Sequence, residues 1–478
     1  MPLDEAGAIT AAQDLLGVQD NERTDLDVLR RYATGKQSMP LVIPQDAPRE
    51  VHEMARISRI NAIAIVINSL VESLFVDNLR VTEKGPADAD EHVASPVWKT
   101  WQANKLDRGQ SGLYRAVFQY GYGYMVLTKG KPTPVIRPMS PRTMTALYAD
   151  NSDDWPELAL ERRRKKDTFR LYDQTHVYSL GYDPKLKRFA LISLAAHGSP
   201  YCPVVRYRDV EDLDIDDEPI SQIVTRMGTR GDNMTDMVAG QVAPLMTLQD
   251  QLDVTTFTLK SAEWYSSFRQ RWVVGWTPAN PSDKVKSAAS QLWTFDNDPD
   301  EVKLGEFAQT TLDGYLSSRD STAKFIATLS QTPVHELIGE LVNLSAEALA
   351  AAEAGRDRKI GERQTGIGES HEQLAQAVGL LQGVDVPDDL EVVWRDTSAR
   401  AFGALVDGLG KLAAQLQIPP DQLWDRIPGV TLQDVRRWRK ARDEGDSMAA
   451  LTGMLDKQAK APGATGSKLA IARPGQVR

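Results

Sequence analysis

The chain has 478 residues but one cysteine, Cys202, and six dispersed histidines. A single cysteine excludes intrachain disulfides and a metal site made of several cysteines, and it is typical of a reducing compartment. Long apolar runs are missing too. The most apolar run, residues 60–71, is too short to span a bilayer and is predicted to be a buried helix. No basic stretch followed by an apolar block occurs near Met1, so no secretion signal is predicted.

The motifs of common catalytic sites are also missing. The sequence contains no GxxxxGK[ST] loop that would bind a triphosphate and no GxSxG nucleophile turn. The GYGY sequence at Gly121 lacks the third glycine of a dinucleotide-binding loop. HELIG at His335 and HEQLA at His371 begin like a zinc-binding helix, but each lacks the second histidine. We therefore expect a protein that is not an enzyme, with no catalytic residue, no cofactor and no metal site.

The charge balance limits the role that DNA binding can have. The net charge is -10, whereas a protein that coats DNA depends on many phosphate-neutralising cations. An acidic protein is still compatible with DNA that slides past it freely. The apolar and charged fractions, 41% and 26%, are ordinary for a soluble protein, so a large core is expected.

The first half of the chain predicts a mixture of helices and antiparallel strands. Residues 1 to about 80 are predicted to be helical, with a polar, proline-rich loop at residues 35–48. Between about residues 113 and 210, short apolar or alternating segments are separated by Gly, Pro and Asp, which predicts strands and hairpins. The basic run at residues 162–166 is predicted to lie at a hairpin tip, and the acidic run at residues 209–218 to be a solvated linker.

The second half is predicted to be mainly helical. From Pro244, apolar and then small residues recur at alternating spacings of three and four, which predicts a helix with a narrow packing stripe. A second helix is predicted at about residues 310–329. It should end before Pro333, because proline disfavours helix at the residue before it. Residues 344–381 predict one very long helix. Its larger apolar residues fall seven apart, at Ile360, Ile367, Leu374 and Leu381.

The order of these segments resembles the portal proteins of tailed bacteriophages, in particular those of siphophages. The resemblance covers about residues 25–445, and it is carried by the order and spacing of several short motifs. These motifs are RYATGKQSMP at Arg31, WKTWQANKLD at Trp98, RAVFQYGYGY at Arg115, LQDQLD at Leu248 and IPGVTLQDVRRW at Ile427.

The resemblance implies an α+β fold, the phage portal fold, assembled as a ring. Each subunit would have an α/β wing, a helical stem, a small clip and a helical crown. The expected parts are an N-terminal wing of helices and antiparallel strands (1–235), a stem helix (236–266), a clip (267–305), a second stem helix (306–330), a channel loop (331–345), a long wing helix (346–389), a helical crown (390–455) and a disordered tail (456–478).

The resemblance also implies a function and a set of partners. The ring would be the conduit at one capsid vertex through which double-stranded DNA is packaged and ejected. The expected partners are further copies of the chain, usually in a dodecamer, the terminase large subunit, the head-tail connector or adaptor, and the major capsid and scaffolding proteins. DNA would pass through without sequence-specific contacts, and no membrane is involved. The ring would be assembled in the host cytoplasm and would lie at the portal vertex of the virion.

Two segments are candidate functional sites. The resemblance places a loop that narrows the DNA channel between the second stem helix and the long wing helix. Its candidate residues are Thr332, Pro333, His335, Glu336, Leu337, Glu340 and Asn343. The predicted clip combines cations with tryptophans, and Arg and Trp are enriched at protein interfaces. Its candidate docking residues are Arg269, Arg271, Trp272, Trp276, Lys284 and Lys286.

Several alternatives remain open from the sequence. The channel loop has a simpler interpretation as a turn between helices with Leu337, Leu341 and Leu344 buried, and Trp272 has one as a core residue. The chain as a whole is also compatible with another virion structural or connector protein. A third hypothesis is a metal-dependent nucleic-acid-processing enzyme whose site is built from scattered carboxylates.

Overall fold

The structure is a computed structural model of the chain, and it divides into two units, Met1–Ala399 and Arg400–Arg478. The residues that the structure describes are 3–81, 96–149, 155–163, 167–210, 240–267, 271–274, 303–306, 311–339, 346–395 and 402–424, with single positions and short stretches between 427 and 442. Helices and antiparallel sheets are both present, as the α+β prediction requires.

Helices dominate the start of the first unit. They are α1 (Glu5–Ala33), α2 (Arg49–Ile57), α3 (Ala62–Glu72), α4 (96–103) and α5 (Leu106–Tyr120). Side-chain caps set two of the helix starts, because they satisfy amides that have no partner inside a helix. Asp4 accepts a hydrogen bond from the amide of Gly7, and Asn61 accepts one from the amide of Ala64.

Helix α3 is a core helix, as the sequence predicts. Its residues Ile63, Val66 and Ile67 are almost completely buried. By length and composition alone, one helical stretch among the described residues, Arg49–Glu72, is apolar enough to cross a membrane. The same test selects core helices of soluble proteins, and this stretch is interrupted between α2 and α3.

The strands predicted between about residues 113 and 210 are present, and the first of them begins at Tyr122. Helix α5 continues to Tyr120 and ends at Gly121, whose φ of 89° is in the left-handed region that favours glycine. The strands are β1 (Val76–Val81), β2 (Tyr122–Thr128), β3 (Val135–Met139), β4 (Met144–Leu147), β5 (Leu158–Arg162), β6 (Thr168–Tyr172), β7 (His176–Asp183), β8 (Arg188–Ala196) and β9 (Val204–Arg208).

Strands β4 to β8 form a five-stranded antiparallel sheet in which each strand pairs with the next one along the chain. Helix α1 packs on this sheet, where its residues Ala12 and Leu15 join a core cluster with Phe169. The basic run predicted at a hairpin tip begins at Arg162, which is still in β5 and pairs with Phe169 of β6; residues 164–166 lie outside the described residues, so the placement of the run stays a prediction. A second sheet has the order β3-β2-β9 and packs on α5.

The second half of the first unit contains the long helices. A 3-10 turn, Ala243–Leu245, leads into α6 (Met246–Ser267), and Pro244 lies in that turn as expected. The further elements are β10 (Arg271–Val274), β11 (Lys303–Glu306), α7 (Asp313–Ser330), α8 (Val334–Ile338), α9 (Ala346–Gln382) and β12 (Leu390–Trp394). The long helix predicted from residue 344 to 381 is therefore confirmed.

The predicted start of the helical crown at residue 390 is wrong. Residues 390–394 form strand β12, which pairs antiparallel with β1 and belongs to the first unit. Two β-branched residues in LEVVW favour a strand, and the preceding Pro387 and the turn at residues 388–389 separate it from α9. The same pairing corrects the prediction that the first 80 residues are helical, because β1 begins at Val76.

The predicted packing stripes of α6 and α7 are correct in part. Leu245, just before α6, and Leu252 and Leu259 within it are buried as predicted, but so are the polar residues Gln249 and Asp253. Both are hydrogen-bonded to the start of α3 or to the connection before it: the amide of Ala62 donates to Gln249 (3.1 Å), and that of Ile60 donates to Asp253 (3.2 Å). Buried polar groups are tolerated where partners satisfy them.

The stripe of α7 differs more from the prediction. Ile326 is buried, whereas Leu316 and Leu329, predicted on the same side, are exposed at 38% and 56%. The buried side of α7 instead contains Thr322 and Ser330, because side chains at positions 322, 326 and 330 share one helix face. The predicted stripe is wrong for these two leucines.

The second unit is described in part. It contains α10 (Phe402–Gln415) and a 3-10 turn, Pro420–Gln422. The rings of Trp424 and Trp438 pack at right angles with centroids 5.9 Å apart, and Arg442 forms an ion pair with Asp421 (3.1 Å). The disordered tail predicted at residues 456–478 lies outside the described residues and stays a prediction.

Candidate functional site: the junction between helices α7 and α9

The backbone at the end of α7 explains why the chain turns there. Helix α7 ends at Ser330, and Gln331 takes a left-handed conformation with φ of 57°. The amide of Thr332 returns to the carbonyl of Ala327 (3.0 Å), which closes the last helical turn. Pro333 then precedes the short helix α8, so the predicted helix end before this proline is confirmed.

The structure gives the positions of five of the seven predicted channel-loop residues; Glu340 and Asn343 lie outside the described residues. Thr332 and Pro333 are buried, whereas His335, Glu336 and Leu337 of α8 are half-buried. Leu337 packs against the main hydrophobic core, as the simpler interpretation of a turn requires for this leucine. Val334, at the start of α8, is exposed at 41%.

Glu336 is held by a cation from α9. Its carboxylate forms an ion pair with the guanidinium of Arg356, which also lies 3.4 Å from the carboxylate of Glu353. The side chain of Arg356 is 13% exposed and that of Glu336 is 23% exposed, so water screens this pair only in part. The negative charge of Glu336, a predicted channel-loop residue, is therefore paired.

Lys359, one turn further along α9, joins two other segments. Its ammonium group donates a hydrogen bond to the carbonyl of Ser330 (2.9 Å), the last residue of α7, and another to the side-chain oxygen of Gln241. A cation at the C-terminal end of a helix is favourable because the carbonyls there have no partners within the helix. Burial lowers the pKa of Lys359 to about 8, although the nearby Asp209 acts in the opposite direction.

Arg363, four residues after Lys359 in α9, binds Asp209, the residue that follows β9. Its Nε donates to the Oδ1 of Asp209 (2.7 Å), and the side chain of Gln241 donates to the Oδ2 (2.5 Å). Burial raises the pKa of Asp209, while Arg363 opposes that rise. The prediction that the acidic run starting at Asp209 is a solvated linker is wrong for Asp209, which is buried and paired.

The second half of α9 is fixed by His371, a residue whose role the sequence did not indicate. His371 is fully buried, and its ring lies edge-on to Trp101 with centroids 5.2 Å apart. Burial lowers its pKa to about 3, so the ring is neutral at ordinary pH. Together with Ile360, Ile367 and Leu374 it completes the buried side of the helix.

The predicted clip is described at its two ends. Strands β10 and β11 pair antiparallel, with Arg271 opposite Glu306 and Trp272 opposite Gly305. The other candidate docking residues lie outside the described residues; they are Arg269, Trp276, Lys284 and Lys286. The two strands pair with each other near the two ends of the segment between α6 and α7.

The described residues contain no group of three His, Cys, Asp or Glu side chains that could hold a metal ion. The single cysteine, Cys202, is buried in a small core cluster, and burial raises the pKa of its thiol. At the α7–α9 junction, Arg356 and Arg363 pair with carboxylates and Lys359 binds neutral oxygens, and these contacts hold segments in place.

Comparison with known proteins decides between the hypotheses. A family model described as phage portal protein, SPP1 Gp6-like, matches residues 13–448, which is most of the chain. The chain belongs to the phage portal protein family. A portal forms the DNA conduit at one capsid vertex, and this is the function of the chain. The portal family is structural and not enzymatic, and its place is the portal vertex of the virion.

Several solved structures resemble the portal chain. The neck of an empty GTA particle computed with C6 symmetry contains a chain that is 12% identical, with a TM-score of 0.45, covering 78% of this chain and 91% of that chain. The virion of a native gene transfer agent (GTA) particle gives 11% identity, a TM-score of 0.45, and coverage of 83% and 97%. No match was found among curated protein sequences. The identities are low, and the assignment of the portal rests on the family match.

Proposed function

We propose that the portal chain lines the DNA channel with the junction of α7, α8 and α9, in a closed ring that is a dodecamer. The family match over residues 13–448 carries this proposal, because it includes the whole junction. The ring recruits the terminase large subunit and the head-tail connector through the segment between α6 and α7. It assembles in the host cytoplasm with the major capsid and scaffolding proteins.

The shape of α8 supports a channel role for the junction. Helix α8 is a single turn between helices of 18 and 37 residues. Leu337 anchors it to the core on one side, while Val334 is exposed on another. Arg356 is paired with both Glu336 and Glu353, so this cation offers no strong attraction to phosphates as DNA passes.

The exposed surface of α7 supports ring formation. Leu316, Phe325 and Leu329 are exposed at 38%, 61% and 56%. Phe325 and Leu329 are four residues apart and share one helix face, whereas Leu316 lies on another side of the helix. The exposed pair Phe325 and Leu329 forms an apolar patch, and exposed apolar patches mark association sites. Contacts between two different faces of a subunit close into a ring when the rotation between subunits closes.

The channel assignment can be tested by blocking α8 chemically. The native Cys202 is buried with a raised pKa, so a cysteine introduced on the surface is the reactive thiol. Val334→Cys in the assembled ring is labelled with a bulky maleimide, and DNA packaging is measured. We expect packaging to fall. The matched control is Leu186→Cys, which is 69% exposed on the hairpin between β7 and β8 and whose labelling is expected to have no effect.

Two results would count against the assignment. Normal packaging by rings that are fully labelled at Val334→Cys would exclude α8 from the channel wall. Electron microscopy of the purified chain, together with light scattering over a wide concentration range, tests the ring itself. A chain that stays monomeric even with scaffolding and capsid protein added would contradict the ring.

A further inference from the structure

Three cations lie along one side of α9 beside the proposed channel segment. Arg356, Lys359 and Arg363 are spaced by three and four residues, which places them on the same helix face. The whole residues Lys359 and Arg363 are each 8% exposed, and the side chain of Arg356 is 13% exposed. Buried cations are costly unless they are paired, so each of them requires specific partners.

Each cation binds a different segment of the chain. Arg356 binds Glu336 of α8, and Arg363 binds Asp209 at the end of β9. Lys359 lies between them and binds the carbonyl of Ser330, where α7 ends. One face of α9 therefore contacts α8, the end of α7 and the sheet that contains β9.

The segment that leads into α6 also contacts these cations, because its residue Gln241 binds Lys359. Gly240 lies so close to the end of α5 that an added Cβ would be 2.5 Å from the amide nitrogen of Gly121 and 2.6 Å from the carbonyl of Phe118. This position therefore requires glycine. The next residue, Gln241, donates from its backbone amide to Phe118 (2.6 Å), and its side chain binds both Asp209 and Lys359.

We propose that Lys359 is a positioning residue that fixes the end of α7, and with it the channel segment α8, relative to Gln241 in the segment that leads into α6. This inference rests on the proposed channel function. Lys359 contacts the last carbonyl of α7 and the side chain of Gln241 through the same ammonium group, so a displacement of either segment strains the bond to the other.

Amide hydrogen exchange in the assembled ring tests this positioning role. Lys359→Met keeps the apolar stem of the side chain and removes its charge. We expect the amides of residues 331–339 to exchange at least about tenfold faster, the factor that corresponds to loss of one charge-assisted hydrogen bond. The amides of α5 and β2 should keep their rates. Lys359→Arg should restore slow exchange, because a cation with several donors is again present.

Two further variants keep the test decisive. Arg358→Met is the matched control, because Arg358 is on the exposed side of the same helix and should leave the rates unchanged. Gln241→Met should also speed the exchange of residues 331–339, since it removes a partner of Lys359 from the side opposite α7. If Lys359→Met does not assemble, Gln241→Met provides the same measurement.

The outcomes separate this inference from the channel assignment. Unchanged exchange at residues 331–339, or equal acceleration in every element, would overturn the positioning role of Lys359. If exchange there accelerates but DNA packaging and retention stay normal, and labelling of Val334→Cys is also without effect, the positioning stands and the channel assignment fails. We expect faster exchange together with altered DNA retention.

Discussion

The hydroxyl of Tyr114 lies 2.8 Å from Nε2 of His371, and the hydroxyl of Tyr207 lies 3.0 Å from Nδ1 of the same ring. A neutral imidazole has one donor and one acceptor nitrogen, so it satisfies both hydroxyls at once. Tyr114 belongs to α5 and Tyr207 to β9, so this one ring joins α9 to both elements. The joint depends on the neutral form, because a protonated ring would have two donors in a buried, apolar pocket.

The first prediction concerns acid stability. Burial lowers the pKa of His371 to about 3, from an ordinary value of 6.5. Between these values the unfolded chain binds the proton and the folded chain does not, so the free energy of unfolding falls as the pH is lowered from 6.5 to 3. His371→Phe should remove this dependence and cost on the order of 3 kcal/mol at pH 7, since two buried hydroxyls lose their partner. Urea unfolding at several pH values measures both effects.

The second prediction concerns alkaline stability and Glu22. This residue is 2% exposed, and burial raises the pKa of its carboxyl from 4.5 to about 8, with a smaller opposite effect from the nearby hydroxyl of Tyr122. Between pH 4.5 and 8 the folded chain binds more protons than the unfolded chain, so stability contributed by this group is lost as the pH rises. Glu22→Gln should therefore raise the free energy of unfolding at pH 8 by between about 2 and 4 kcal/mol and have little effect at pH 4.5.

The control for this prediction is Asp14→Asn on the exposed side of the same helix. It should leave the pH dependence of unfolding unchanged. An unchanged stability of Glu22→Gln at pH 8, measured by calorimetry beside the control, would show that Glu22 is ionised in the folded chain.

The third prediction concerns the buried ion pair between Arg363 and Asp209. Arg363→Met leaves the carboxylate buried without its cation, so we expect a loss of about 3 kcal/mol in the free energy of unfolding. Asp209→Asn should cost a similar amount. The double variant should cost less than the sum of the two single variants, because the pair is removed together. Denaturant unfolding of the four chains gives the coupling, and strict additivity would show that the pair contributes none.

The fourth prediction concerns the segment between α6 and α7. Replacing Arg269 and Arg271 by Glu should leave the ring and its melting temperature unchanged but weaken binding of the terminase large subunit or the connector. The expected loss is at least about tenfold in Kd, since Arg is enriched among residues that dominate interface energies. Arg49→Glu with Arg59→Glu, two exposed cations near α2, is the matched control. Equal binding by both double variants would remove this segment from the docking surface.

Parts of this architecture follow from sequence patterns, and others do not. The end of α7 follows from Pro333, and the buried stripe of α9 follows from the spacing of Ile360, Ile367 and Leu374, since backbone restriction and apolar period act locally. Lys359 and Arg363 were not predicted to be buried. A charged residue normally indicates solvent, and its burial depends on partners that are far away in the sequence.

Strand β12 shows the same limit for secondary structure. Its partner β1 lies so far away that Arg395, just beyond β12, pairs with Asp77 across 318 residues. Within the sequence, residues 390–394 stand among helical patterns, and the pairing that makes them a strand is not visible locally. Strand preference depends strongly on such tertiary context.

The pairing of β1 with β12 also has a consequence for synthesis. Strand β1 leaves the ribosome early, but its partner is made only when more than three-quarters of the chain is finished. During that interval the edge of β1 has open backbone groups, which is the state in which strands pair with wrong partners. A chain truncated before Leu390 can never complete this sheet. The first unit is therefore complete only after synthesis has passed Trp394, although its first strand is made near the beginning.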